Sequence, residues 1–285
     1  MWHLRLEDNN ITYSLARQNF SNDISIIGLT DNSEHETFYL TSPHFSDLPI
    51  EEYEKAYYKA LSFLRLINGC LLLKDDYLLH AADNRLTHFD DSYNAMRKGK
   101  EVYSRSLIEY EQLVNPFENL QIEDLESKSY LANCLTMVKN DQTVRRVIGL
   151  LYLYHRDNLY LLINAYKIYE LIFADLGIER KEKSYKKMRN DLSPELLPYL
   201  DYFLLGDFKH YANTVASSDG TEMSGIFSRH GQSKDVYDKK PIDIKEFDLK
   251  LRNLINKWLS IKIENQIGVV HKEDYQSRDD DFFDI

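Results

Sequence analysis

Between residues 123 and 270 apolar side chains recur at three- and four-residue steps almost throughout. A chain with that period must fold into helices that bury one stripe against a shared core. The clearest run is Leu162, Tyr166, Tyr169, Phe173 and Leu176, with Gly177 placed to end it. A further helix is expected to start near Ser193, capped by its hydroxyl, with Pro194 in the first position. The last helix is expected to open at Asp243 and to carry Phe247, Leu251, Leu254 and Trp258 on one face, with Ile244 and Ile255 beside them. Only 10 Gly and 6 Pro punctuate the chain, which favours long helices over a turn-rich all-β fold.

The first part of the chain reads differently. Residues 11–15, 24–29 and 37–41 are rich in β-branched and aromatic residues and are separated by Asn, Asp and Ser clusters, the pattern of short strands. A strong helix follows Pro49, carrying Tyr53, Tyr57, Leu61, Leu64, Ile67 and Leu71, and Lys74, Asp75 and Asp76 end it. Residues 77–115 are a weaker, strand-like mix that includes a further strand at 101–112. The expected fold is therefore α+β: a small N-terminal antiparallel sheet with a helix over 1–118, a mainly α-helical bundle over 119–270, and an acidic flexible tail over 271–285.

Charge and cysteine content narrow the setting. Two cysteines, Cys70 and Cys134, cannot build a disulfide framework, and both fall inside apolar helical patterns. The N-terminus lacks a basic stretch followed by an apolar one, so no signal peptide is read. The apolar region 147–178 is broken by His155, Arg156 and Asp157, which makes it a core helix pair and not a membrane span. A cytoplasmic protein with no membrane partner is expected. With 46 acidic against 35 basic residues the net charge is −11, which disfavours non-specific attraction to nucleic acid. The densest basic stretch, 179–190, is expected to form a solvated helix face with its own charge pairs.

One polar cluster carries chemistry: Ser228, Arg229, His230, Gly231, Gln232 and Ser233, just before the last helix. A guanidinium grips a phosphate with two parallel hydrogen bonds, and an imidazole moves a proton near neutral pH. The plainer alternative is that both side chains fasten the loop to the bundle. The string also looks like the histidine phosphatase signature, but only 55 residues follow His230, too few for the rest of that fold. A second cluster, His80, Asp83, His88, Asp90 and Asp91, has ligand types but the spacing of a polar loop, and no metal or other cofactor is expected. Glu126 and Lys128 match a nuclease-type Glu-x-Lys order at what reads as a helix start, where that motif does not work.

A longer resemblance covers residues 164–259. It rests on the amphipathic helix with Ala165 through Glu170, the segment Tyr211-Ala212-Asn213-Thr214, the glycine loop, Ser228 through Gly231, Pro241 and the closing Asn256-Lys257-Trp258-Leu259. This order resembles a group of uncharacterised bacterial proteins and, more distantly, the HEPN superfamily of helical bundles. Members of that superfamily often cleave RNA without a metal or act in toxin-type and antiphage systems, with Arg and His of two protomers meeting across a dimer interface. The chain departs from the family's Arg/His spacing, because Lys234, Asp235 and Val236 stand where a His would follow Arg229. What the resemblance implies is RNA cleavage or binding in antiviral defence, with His230 as general acid or base and Arg229 stabilising charge on the phosphorane. Glu170 would orient them, and Lys209, His210 and Asn213 would bind substrate. The alternative is a non-catalytic helical module for protein interaction or dimerisation. The partners implied are RNA, a second copy of the chain, or a protein from the same operon.

Overall fold

The computed structural model describes residues 1–30, 36–74, 77–89, 100–102, 114–118, 120–156, 161–179, 182–206, 208 and 243–270. The glycine loop before Ser228 and the acidic tail 271–285 lie outside these residues. The architecture is α+β: an N-terminal five-stranded antiparallel sheet with a helix, then a mainly helical region. The chain divides into two compact units, Met1–Leu71 with Asp76–Lys139, and Leu72–Asp75 with Asn140–Ile285. The sequence reading put its boundary after residue 118.

In the first unit, strand β1 (Trp2–Leu6) lies at the centre of the sheet. The others are β2 (Ser25–Thr30), β3 (Glu36–Thr41), β4 (Ala81–His88) and β5 (Lys100–Val102), in the order β2-β3-β1-β4-β5. Antiparallel register sets Leu4 opposite both Leu40 and Leu86, and Ile26 opposite Leu40. Because side chains alternate across a strand, one face gathers Trp2, Leu4, Leu6, Ile26, Phe38, Leu40 and Leu86, all buried. Helix α3 (Tyr53–Leu71) packs against β1, β3 and β4 with Ala60, Phe63 and Ile67 fully buried. Its Asn68 replaces a strand partner: Nδ2 donates to the Leu79 carbonyl and Oδ1 accepts from the Leu79 amide, both at 2.8 Å, which pins the segment leading into β4.

Two readings of this region are corrected. Residues 11–15 form helix α1 (Asn10–Leu15) and not a strand, because Asn9 adopts an extended conformation and caps the Thr12 amide at 2.9 Å. That local cap outweighs the β propensity of Ile11, Thr12 and Tyr13. The strand that pairs with β3 is instead β1. The short helix α2 (Pro43–Ser46) follows β3, capped by Ser42. Of the strand expected at 101–112, the structure describes 101 and 102 in β5; the remainder lies outside the described residues. Glu126 and Lys128 precede helix α4 (Tyr130–Asn140), in a stretch without regular secondary structure rather than at its start. Cys70 and Cys134 meet in the core between α3 and α4; burial and the neighbouring thiol push Cys70 well above its ordinary range, so it serves as packing.

The second unit holds α5 (Gln142–Arg156), α6 (Leu161–Asp175), α7 (Glu182–Met188), α8 (Leu197–Leu205) and α9 (Ile244–Ile267). α5 and α6 form the expected core pair. Gly177, at φ 70°, ends α6, and Gly268, at φ 81°, ends α9; both conformations suit a residue without Cβ. α9 opens as expected, with the Asp243 carboxylate accepting from the amides of Lys245 and Glu246. Phe247, Leu251, Leu254, Ile255 and Trp258 are buried, whereas Ile244 is exposed. α8 starts three residues later than a Ser193 cap would place it. Its N-cap is Leu196 and Pro198 occupies the first turn, so the proline that tolerates a helix start is the second of the two. No helix among the described residues is long and apolar enough to cross a membrane.

Candidate functional site

The aromatic residues of the second unit converge on one place. Tyr169 of α6 stacks on Phe203 of α8 with the rings 13° from parallel, and Phe208 meets Tyr169 at 5.8 Å and Tyr166 at 6.3 Å. Phe208 in turn stacks on Phe247 of α9 at 4.9 Å. Each ring buries a large apolar area, and offset or edge-on contacts of this kind add about 1 kcal/mol apiece. Phe208 immediately precedes Lys209, and Phe247 lies one turn into the helix that Asp243 caps. Phe208 and Phe247, on either side of residues 209–242 in the chain, thus belong to the same cluster.

That segment contains Lys209, His210, Asn213, Arg229 and His230, and these five lie outside the described residues. Glu170 is described. It sits half-buried on α6, next in sequence to Tyr169 of the aromatic cluster. Of the metal-like group, His80, Asp83 and His88 are described, on or beside β4, while Asp90 and Asp91 are not. Among the described residues no three His, Cys, Asp or Glu side chains gather as a metal site.

Two polar networks sit on α9, the first of them buried around Arg252, and the sequence reading found neither. In the first, Asp248 accepts from the Tyr154 hydroxyl at 2.7 Å and from Arg252 Nε. Arg252, 2% exposed, also donates to the Leu72 carbonyl and to His155 Nε2. A guanidinium has no acceptor, so His155 must accept at Nε2 and carry its proton on Nδ1. Asn256, one turn further, donates to the Leu73 carbonyl at 2.8 Å. Burial, then the Asp248 carboxylate, pushes the Tyr154 phenol far above its ordinary range, so it stays a donor. The spacing Asp248, Arg252, Asn256 repeats every fourth residue, and that period was the one available signal.

In the second network, Lys262 lies between Asp141 at 2.7 Å and Asp175 at 2.9 Å, and Trp258 Nε1 donates to Asp175 at 2.8 Å. Asp141 also caps α5 through the amides of Thr143 and Val144. Burial alone would lower the Lys262 ammonium, but the two carboxylates hold it above its ordinary value. Burial likewise opposes the Asp141 charge, and Lys262 with the capped amides overrides it.

A third group, in the first unit, was also missed. The His44 ring is fully buried and its Nε2 lies 2.7 Å from Asp23 Oδ1, while Lys139 Nζ bonds Asp23 Oδ2 and Asp124 at 3.0 Å each and the Ile122 carbonyl. His44 Nδ1 is buried with no hydrogen-bond partner, between the rings of Phe63 and Phe117. Asp23, His44 and Lys139 come from three distant stretches, and nothing local in the sequence links them.

The basic stretch 179–190 supplies α7, whose Tyr185 is fully buried. Lys186 pairs with Glu182, and Arg189 grips Asp201 through Nε and Nη2, at 3.1 and 2.7 Å. The Arg189 bonds hold the Asp201 carboxyl below its ordinary value. No family model, curated protein or solved structure matches the chain.

Proposed function

We propose that this is a HEPN-like bacterial protein that binds and cleaves RNA in antiphage defence or a toxin-type system, acting in the cytoplasm as a homodimer or with a protein from the same operon. The reading places the chemistry on the segment 209–242. His230 takes the proton of a ribose 2′-hydroxyl or gives one to the leaving 5′-oxygen, and Arg229 stabilises the charge that builds on the phosphorane. Glu170 orients the pair, Lys209, His210 and Asn213 hold the strand, and no metal takes part. One observation supports the reading: Phe208, the residue before Lys209, stacks on Phe247 of α9 and packs against Tyr166 and Tyr169 of α6, the helix that bears Glu170.

The test is His230→Ala in the full chain, assayed on RNA with a chelator present. A general acid or base contributes about 100- to 10,000-fold, so cleavage should fall by at least about 100-fold while thermal unfolding stays close to wild type. Undiminished cleavage by the variant overturns the assignment.

A second reading, a non-catalytic module for protein interaction or dimerisation, has its own support. Arg252 and Lys262, two cations of α9, are engaged with backbone carbonyls and carboxylates of the unit itself. Under that reading the variant and the wild type are equally inert toward RNA.

A further inference from the structure

Helix α7 is fixed in its rotation from one side. Tyr185 is fully buried against Phe173, and its hydroxyl donates to Asp201 at 2.7 Å, the same carboxylate that Arg189 grips. At 100° per residue, Lys183 and Lys187 each lie about 160° from Tyr185 around the helix, and about 40° from one another. Both are exposed. The acids close to them in the chain are largely engaged elsewhere: Glu182 holds Lys186, Asp201 holds Arg189, and Glu195 lies 3.7 Å from Lys257. Among the described residues no carboxylate pairs with Lys183 or Lys187. Exposed Glu179 and Asp191 flank the helix and limit the patch to its middle.

Lys183 and Lys187 thus present two exposed ammonium groups one helical turn apart, in a chain of net charge −11. We propose that the Lys183/Lys187 face of α7 is a phosphate-backbone contact for single-stranded RNA. This deepens the RNA reading above and rests on it. The occupant follows from charge complementarity: the lysine chains are flexible point charges that suit successive phosphates without reading sequence. The surface sets affinity and position on the strand, and the chemistry stays with the segment that follows α8.

The test uses the full chain and a fluorescent 2′-O-methyl 20-nucleotide uridine strand, which cannot be cut through a 2′-hydroxyl. Binding is measured from 50 to 200 mM salt for wild type, for Lys183→Gln/Lys187→Gln, and for Lys183→Arg/Lys187→Arg. Releasing two phosphate contacts lowers the slope of log affinity against log salt by about 1.4 for a single strand and weakens binding on the order of tenfold at low salt. The Arg pair should restore both. Wild type that binds while the Gln pair matches it in affinity and slope overturns the α7 surface and leaves the RNA reading standing. Wild type that binds no RNA removes both. Loss of salt-sensitive self-association in the Gln pair, with RNA binding unchanged, would assign the face to a second, acidic copy of the chain and overturn the proposal as well.

Discussion

Each unit is braced by one lysine shared between two aspartates, and the two braces are finished differently. In the second unit Lys262 bridges Asp141 and Asp175, whose side chains are 17% and 22% exposed. Every group there has further work: Asp141 caps α5 and Asp175 accepts from Trp258. In the first unit Lys139 bridges Asp23 and Asp124, but Asp124 is 40% exposed and Asp23 keeps a second partner in His44. That imidazole leaves its other nitrogen buried and unbonded. The difference teaches that the cost of losing the lysine is set by what it leaves behind. A carboxylate that is exposed enough to rehydrate forgives the loss, and more so when it keeps another donor.

The comparison is broken most directly by removing each lysine in turn. Lys139→Met leaves the Asp23 carboxylate, 6% exposed, with His44 alone and should cost about 3 kcal/mol, whereas Lys262→Met leaves Asp141 with its capped amides and Asp175 with Trp258 and should cost no more than about half as much. Urea denaturation followed by hydrogen exchange measures this, with protection lost in α4 for the first and in α5 and α9 for the second. A Lys262→Met variant that is as damaging as Lys139→Met would contradict the account.

Acid should separate the units a second way, by a smaller amount. Burial lowers His3 to about 4 from an ordinary 6.5, so the folded first unit holds it neutral while the unfolded chain takes up a proton. Its stability is therefore complete above pH 6.5 and falls as the pH drops toward 4, by about 2 kcal/mol between pH 7 and 5. Asp141 is held below its ordinary 3.8, so its contribution to the second unit is present above 3.8 and is lost only as the pH falls through its lower folded value. Lys262, held above 10.5, contributes fully below that pH and weakens above it. Hydrogen exchange at pH 5 should show strands β1 and β3 loosening before α5. Simultaneous loss of protection would remove the distinction.

What was legible in the sequence follows the same physics. α6 and α9 were readable because one periodic stripe buries itself, and Asp243 and Gly177 mark ends by local backbone chemistry. α1 was misread because one capping side chain, Asn9, decides a six-residue helix whose composition favours a strand. β1 was missed although Trp2, Leu4 and Leu6 alternate with polar His3 and Arg5, since five residues at a chain end carry little pattern. The α8 start slid because two prolines, Pro194 and Pro198, each suit a first turn. Of the candidate site the sequence named Glu170 on α6. The groupings around Asp23 and Arg252 were not legible, since they join residues as far apart as Arg252 and Leu72.

The measurement closest to the central claim is the chemistry of the RNA ends produced by the full-length chain in the presence of a chelator. Attack by a 2′-hydroxyl assisted by His230 and Arg229 breaks the bond to the 5′-oxygen. It should therefore yield fragments ending in a 2′,3′-cyclic phosphate and beginning with a 5′-hydroxyl, seen by mass spectrometry. Intact RNA, or fragments bearing 5′-phosphates, would contradict it.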